Sequence, residues 1–384
     1  MADAQGRVSG QLALPAEAEV GNHPIVVVAQ APYTASIALL KVSPRIPLSG
    51  QEGYEVTEGA VARGLYQSAY SARNNALFVT AAVGRPPVRQ SELLRVDPAT
   101  LAVVARVTPA AAPARPGAPA GAEAGVFAVY GVGVDDANGT VWVTNTRQDT
   151  VAVYRQADLS LLRQFAPGTV SHPRDVVVDQ PLGKAYVSAT FKPEVVVFRA
   201  GTPELAGRVE IASRVRGGTF SAASLSLDAA AHRLYVVSNT TSEVAVIDTR
   251  TDTVLKVLPV PGARGSIGVS HDPQTGRIFV AAQGSDNLVV LDGESGAVIA
   301  DTPVGAGALN VVFDPVRRRA YVSSRAAGTV TVTDADGKIL ANLGPAPLAN
   351  HVAAGRDGTI FAVDKSANAR GEDGDTLLRI RPRS

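Results

Sequence analysis

Short apolar runs separated by polar turns recur along this chain, and their spacing is regular. Five times a run ending in Asp is followed, seven residues later, by an aromatic inside a second apolar run: Asp135/Trp142, Asp179/Tyr186, Asp228/Tyr235, Asp272/Phe279 and Asp314/Tyr321. Phe78 repeats the spacing with Ser71, and Phe361 repeats it with Ala354. Thirteen residues after the aromatic comes Asp248, Asp292 or Asp334, or Arg155 and Arg199 in the Trp142 and Tyr186 units. The intervening Asp136-Ala137-Asn138-Gly139 and Asp272-Pro273-Gln274-Thr275-Gly276 are hairpin chemistry, with Gly supplying a positive φ.

Each unit therefore predicts four strands, A to D, with the aromatic on strand B. In the second unit they fall at 131–135, 141–145, 151–155 and 160–165. The aromatics step by 44, 49, 44, 42 and 40 residues from Trp142 to Phe361. A four-stranded antiparallel sheet every ~40–45 residues is the period of a propeller blade. Seven aromatics predict an all-β, seven-bladed β-propeller, because a lone sheet leaves both faces uncovered and must stack around an axis. The last unit runs out of chain after strands near 352–354, 360–363 and 377–380. Residues 54–61 are expected to supply its fourth strand and close the ring, with the strand-like segments 25–30 and 35–42 as competitors. That division makes 1–50 an N-terminal extension and 51–384 the propeller.

Composition agrees with many short strands. Hydrophobic residues make up 46 % of the 384, punctuated by 36 Gly and 25 Pro, and no apolar run is long enough for a membrane span. Net charge is +1, so only local clusters of charge carry meaning. The absence of Cys excludes disulfides, thiolate zinc sites and cysteine nucleophiles. Met1-Ala2-Asp3-Ala4-Gln5 has no basic stretch leading into an apolar one, which fits a cytosolic start or a mature secreted chain whose signal an initiator Met replaces.

Leu234-Tyr235-Val236-Val237-Ser238-Asn239 followed by Val244-Ala245-Val246-Ile247-Asp248-Thr249 resembles the repeat named for Tyr-Val-Thr-Asn. Val141-Trp142-Val143-Thr144-Asn145 and Ala320-Tyr321-Val322-Ser323 are variants of it. Gly64-Leu65-Tyr66-Gln67-Ser68-Ala69-Tyr70-Ser71, then Asn75-Ala76-Leu77-Phe78, is similar to the start of the YncE-type bacterial propellers. The likeness covers residues 54–384. It implies a periplasmic, non-enzymatic or uncharacterised propeller, with DNA binding and a link to outer-membrane iron uptake.

The breaks in the repeat all fall on one face. The A–B offset holds at seven in every unit, whereas the B–C loops lengthen at 82–91 and 365–375. The D–A link at 109–124 and the segment Arg214-Val215-Arg216-Gly217-Gly218 lengthen the same face. Binding residues on rigid scaffolds concentrate on such loops, although surface loops also drift in length at little cost.

Residues just before strand A point to the channel mouth on that face. His172, Arg174, Arg264, Asn310, Asn350 and His351 would ring it with hydrogen-bond donors, which suits an anionic ligand, a phosphate, carboxylate or nucleic-acid backbone. The bland alternative is that the Asn and His side chains only satisfy turn backbones. Arg155, Arg199 and Arg325 place positive charge elsewhere, and Arg317-Arg318-Arg319 lies in an A–B turn on the regular face. Five His without a His-x-His pair make a poor metal set, and Gly371-Glu372-Asp373-Gly374-Asp375 lacks EF-hand spacing. Motifs for nucleophile elbows and Walker loops are missing. The expectation is a monomeric periplasmic binding protein without cofactor. Its partner would be an anionic ligand, single-stranded DNA or an outer-membrane transporter. The alternative is a propeller lactonase or lyase using a channel metal or a His base.

Overall fold

The computed structural model describes residues 5, 7, 9–15, 17–30, 32–114, 121, 124–366 and 374–383. Among them the strands form seven four-stranded antiparallel sheets and one separate two-stranded hairpin. The chain divides into two compact units between Pro44 and Arg45. In the first unit the segments at 25–30 and 35–42 do not compete for the propeller, because they pair with each other: Gly21–Gln30 lies antiparallel to Tyr33–Val42.

The second unit is the propeller. In the second blade the strands are Val132–Asp135, Thr140–Asn145, Thr150–Arg155 and Leu161–Gln164, within a residue or two of the sequence expectation at each end. The last blade is ordered Ala349–Ala354, Ile360–Asp364, Asp375–Pro382, Tyr54–Ala62, so an N-terminal strand closes the ring. Ser49 adds a further bridge to Asn342 on the outer strand of the sixth blade.

The repeated residues have clear physical duties. Asp at the end of strand A accepts backbone N–H groups of the A–B turn: Asn138 N–H to Asp135 (3.1 Å), Leu182 N–H to Asp179 (3.2 Å) and Ala231 N–H to Asp228 (2.9 Å). In the first blade Ser71 Oγ does the same for Asn74 N–H at 3.2 Å. A side chain that closes its own turn fixes the turn's length, which accounts for the constant offset of seven in these blades; in the seventh, where Ala354 cannot cap, Gly355 N–H donates to Thr359 O at 2.7 Å instead.

The aromatics hold blade to blade. Each lies in the apolar cluster shared with the following blade: Phe78 with Val132 and Tyr154, Trp142 with Val176 and Phe198, and so on round to Phe361 with Leu65 and Val79. Trp142, Tyr186, Tyr321, Phe78 and Phe279 are fully buried there. Truncating one such ring to Ala is expected to cost about 3–5 kcal/mol.

A second set of ties runs around the channel. Consider, on each innermost strand, the residue two positions before the partner of the signature aromatic: Gln67, Gly131, Asp175, Ser224, Gly268, Asn310 and His351. Four of them accept an N–H from the next blade: Gln67 Oε1 from Val132 (3.2 Å), Asp175 Oδ2 from Leu225 (3.0 Å), Asn310 Oδ1 from Val352 (3.1 Å) and His351 Nδ1 from Ser68 (3.4 Å). The two glycines instead let the neighbouring backbone come close. A Cβ on Gly131 would meet Arg174 O at 2.3 Å, and one on Gly268 would meet Asn310 Cα at 2.7 Å. Between the fourth and fifth blades Ser226 Oγ and His271 Nδ1 make the tie at 2.8 Å.

Gly268→Ala is therefore expected to lower stability by about 1–3 kcal/mol through overpacking against backbone. Gly207→Ala, where a Cβ meets nothing within 4 Å, is the control expected to shift it by no more than about 0.5 kcal/mol. Chemical denaturation of both variants checks the contrast, and equal midpoints would contradict it.

Candidate functional site

The innermost ring decides which polar side chains at the mouth are free. Asn310 and His351 belong to it, as donors' partners within the fold. Asn350, just before His351, donates from Nδ2 to Tyr66 O of the first blade at 2.8 Å. These three sequence candidates therefore tie the sixth, seventh and first blades together. Burial, and next the Arg174 guanidinium, push the His351 imidazole down to about 3. With Nδ1 accepting from Ser68, the neutral ring carries its proton on Nε2.

Arg174 stands apart from these. Its guanidinium reaches back across the mouth to Tyr66 Oη of the first blade at 3.2 Å, and its buried Nε has no partner among the described residues. Tyr66 packs edge-on to Tyr130 with ring centroids 5.0 Å apart. Arg147, in the B–C loop of the second blade, lies over Tyr130 at 5.9 Å, and Lys365 Nζ lies over Tyr66 at 5.0 Å. Arg325, placed elsewhere by the sequence reading, belongs here: with burial as the larger cause, it helps push the Lys365 amine down to about 8, while Asp375 pulls the other way. His172 stacks on Phe191 at 4.2 Å, and burial, then Arg147, lowers its pKa, with Asp149 opposing.

Arg325, Lys365, Arg174 and Arg147 thus form a continuous arc over the sixth, seventh, third and second blades, linked by Tyr66 and Tyr130. Among the described residues none of the four is in an ion pair with a carboxylate. Asp375, the acid whose charge acts on Lys365, accepts the N–H groups of Gly64 (2.8 Å) and Leu65 (3.0 Å). Arg264 is exposed, and its backbone N–H donates to Ser285 Oγ at 2.9 Å.

The lengthened loops wall this arc on one side. Val88, from the B–C loop of the first blade, packs with Ala82, Ala128, Tyr130 and Tyr66. Val126 N–H, from the following D–A link, donates to Val88 O at 2.8 Å. Residues 115–120, 122–123 and 367–373 of the lengthened loops, including Gly371-Glu372-Asp373, lie outside the described residues. Arg214 docks on the outer strands of the fourth blade, through Glu243 and Val257 O, and belongs to the rim.

On the regular face the arginine triplet is a clasp between blades. Arg318 pairs with Asp272 at 2.5 Å, Arg319 donates to Tyr54 Oη at 2.9 Å, and Arg317 donates to Asp357 O. Arg199 pairs with Glu204 at 3.5 Å, and Arg155 donates to Ser160 Oγ at 3.1 Å. Among the described residues no three His, Asp or Glu side chains converge as a metal would require.

Sequence reasoning missed Tyr66, Tyr130, Arg147 and Lys365. A usable signal lay four residues after each signature aromatic, where Ala82, Thr146, Thr190, Asn239, Gln283, Arg325 and Lys365 stand. Two of the seven are cations, and they occupy consecutive blades.

The state of His351 has a measurable consequence. Unfolded, the group titrates near 6.5, whereas folded it stays neutral to about 3. The unfolded chain binds the extra proton, so this group's contribution is fully present above pH 6.5 and is lost progressively as pH falls towards 3. His351→Gln is expected to flatten the acid limb of the stability curve, and the His351 ring resonances should not titrate between pH 8 and 5. A titration midpoint near 6.5 in the folded protein would contradict this.

Comparison with known proteins gives the same architecture. No family model matches the chain. It is 26 % identical over 338 residues to YncE of Salmonella typhimurium, described as an uncharacterized protein, across 84 % of this chain and 89 % of the relative. YncE of Escherichia coli K12 is 25 % identical over 278 residues, 70 % of this chain and 72 % of the relative. Among solved structures, Kuenenia stuttgartiensis hydrazine synthase superposes with a TM-score of 0.67 at 15 % identity, covering 84 % of this chain and 96 % of that one. Virginiamycin B lyase from Staphylococcus aureus does so at 0.63 and 10 % identity, covering 86 % and 100 %. At these identities the solved structures speak for the fold alone.

Proposed function

We propose that this YncE-like seven-bladed propeller is a binding protein that takes an anionic ligand at its channel mouth. The observation that carries the reading is the arc of Arg147, Arg174, Arg325 and Lys365, four cations without a carboxylate partner among the described residues, floored by Tyr66 and Tyr130. Like charges held together in a partly dry site repel one another, and an incoming anion relieves that repulsion. Phosphate and carboxylate groups share the required chemistry, and guanidinium forks suit both. The two tyrosines add faces on which a flat ligand or a nucleic-acid base stacks.

The buried histidine at the mouth, His351, does not favour the enzymatic reading. A general base needs a pKa near the working pH, and His351 is held far below it with Nδ1 already accepting a backbone N–H. A periplasmic setting and an outer-membrane uptake partner belong to the same proposal and rest on the likeness to YncE.

Three results test it. Pyrophosphate and a short single-stranded oligonucleotide, titrated calorimetrically at low salt, are expected to bind the wild-type protein, and Arg174→Ala with Lys365→Ala to weaken binding about tenfold or more. Oligonucleotide binding should also weaken linearly in log[salt], and the slope should shrink in the double variant. The affinity for pyrophosphate should fall as pH rises through about 8, where Lys365 loses its proton, and Lys365→Arg should remove that fall. Unchanged affinity in the double variant would overturn the proposal.

A further inference from the structure

The face opposite the mouth departs from the repeat in one respect that side-chain geometry makes visible. On strand C, the residue paired with the signature aromatic is Val153, Val197, Val246, Val290 and Val332 in the five central blades. Each of those valines is buried in the wedge against the next blade. In the first and seventh blades the same position holds Arg95 and Arg379. A guanidinium in a wedge built for valine is costly unless its donors find acceptors.

The two arginines behave alike. Arg95 donates to Ala157 O in the C–D turn of the second blade at 3.3 Å, and Arg379 donates to Ala99 O in the C–D turn of the first. In both, the buried Nε has no hydrogen-bond partner among the described residues. Each has a companion two residues beyond the end of strand A: Arg73 donates to Asp136 O at 2.7 Å, and Arg356 donates to Ala72 O at 3.0 Å, again in the next blade. The same pair of arginines is thus built twice, on consecutive blades around the ring closure.

Each pair opens on a cleft. The cleft between the first and second blades has a volume of about 360 Å³ and is lined by Arg73, Arg95, Asn74, Asn138 and Gln156 among its polar residues. Asp136 borders it, but its carboxylate accepts from Ser71 Oγ, Arg73 N–H and Gln156 Nε2. Among the described residues neither Arg73 nor Arg95 has a carboxylate partner. The cleft between the seventh and first blades is about 250 Å³ and is lined by Arg356, Arg379 and Arg381, with Asp357 also on its wall. Glu55 lies 3.7 Å from Arg379, whereas Arg381 is exposed and unpaired among the described residues.

We propose that these two clefts are a tandem pair of anion sites, each taking one phosphate or carboxylate group of a small ligand between its two companion arginines. The bound oxygens meet the terminal guanidinium nitrogens of Arg95 or Arg379, whose Nε stays anchored in the wedge, and the flanking guanidinium closes over them from the A–B turn. The cleft between the first and second blades is the stronger of the two, because the carboxylate that borders it, Asp136, is already taken up by Ser71, the Arg73 N–H and Gln156. These sites stand on the opposite face from the mouth and do not depend on the function proposed for it.

The experiment uses the full chain carrying Arg174→Ala and Lys365→Ala, so that the mouth cations are gone. Inorganic phosphate is titrated while the arginine Nε–H resonances are followed by NMR. Arg95 and Arg379 signals are expected to shift saturably, those of Arg199 and Arg250 on exposed edges to stay in place, and Arg73→Ala to weaken the Arg95 response about tenfold. Arg95→Met, which keeps the stem in the wedge, should abolish the first site. If it unfolds the protein, the exposed Arg73→Ala variant still decides. Absence of a saturable shift at Arg95 with phosphate in the tens of millimolar, or a response indifferent to Arg73→Ala, overturns the proposal and leaves both arginines as clasps between blades.

Discussion

Closure of the ring depends on one repeated contact, in which the innermost strand of one blade captures a backbone N–H of the next. Gln67, Asp175, Asn310 and His351 do this with a side-chain acceptor. Gly131 and Gly268 do the converse by having no side chain to keep the neighbour away. The buried aromatics on strand B supply apolar area between blades but set no register. The acceptors do, because an unmade hydrogen bond at a buried N–H costs about 1–3 kcal/mol. The last joint, between the seventh and first blades, is held three ways: by His351 to Ser68, by Asn350 to Tyr66, and by the N-terminal strand added to the seventh blade.

Function is sorted by the same constraint. Side chains spent on the ring are unavailable to a ligand, and Asn310, Asn350 and His351 are spent. What remains at the mouth is cationic, and Asp375, the acid whose charge acts on Lys365, is occupied with the backbone of Gly64 and Leu65. The lengthened first-blade loops then pack around Tyr130 and Tyr66, which raises the mouth on the side where the arc begins. On the other face, turn-capping Asp residues and the Arg317-Arg318-Arg319 clasp hold the loops short.

The architecture was legible because its causes are periodic. Each aromatic fills one wedge, so seven copies betray seven blades, and Asp caps the turn in five of them; even the closing strand follows from a missing fourth run after Ile380. Polar roles at the channel were less legible. Asn310 and His351 carry the residue types of ligand donors, yet the direction of a side chain at a bulged strand start is decided by the neighbouring blade, which no local pattern reports. Arg174 was legible as a mouth cation. In the sequence Lys365 reads as the start of a loop insertion and Arg325 as a cation elsewhere, because their meeting depends on two blades being neighbours. Residues 25–30 and 35–42 read as strands correctly, but only their mutual register shows that they are each other's partners.

The central claim is a division of labour at the mouth: amides and imidazole hold the ring, and cations receive the ligand. Residue-resolved NMR during a phosphate titration of the wild-type protein tests it most directly. The account predicts saturable shifts at Lys365 Nζ, the Arg174 guanidinium and the Tyr66 ring, with the side-chain amides of Asn310 and Asn350 unmoved. Shifts at Asn310 and Asn350 with Arg174 and Lys365 silent would contradict it.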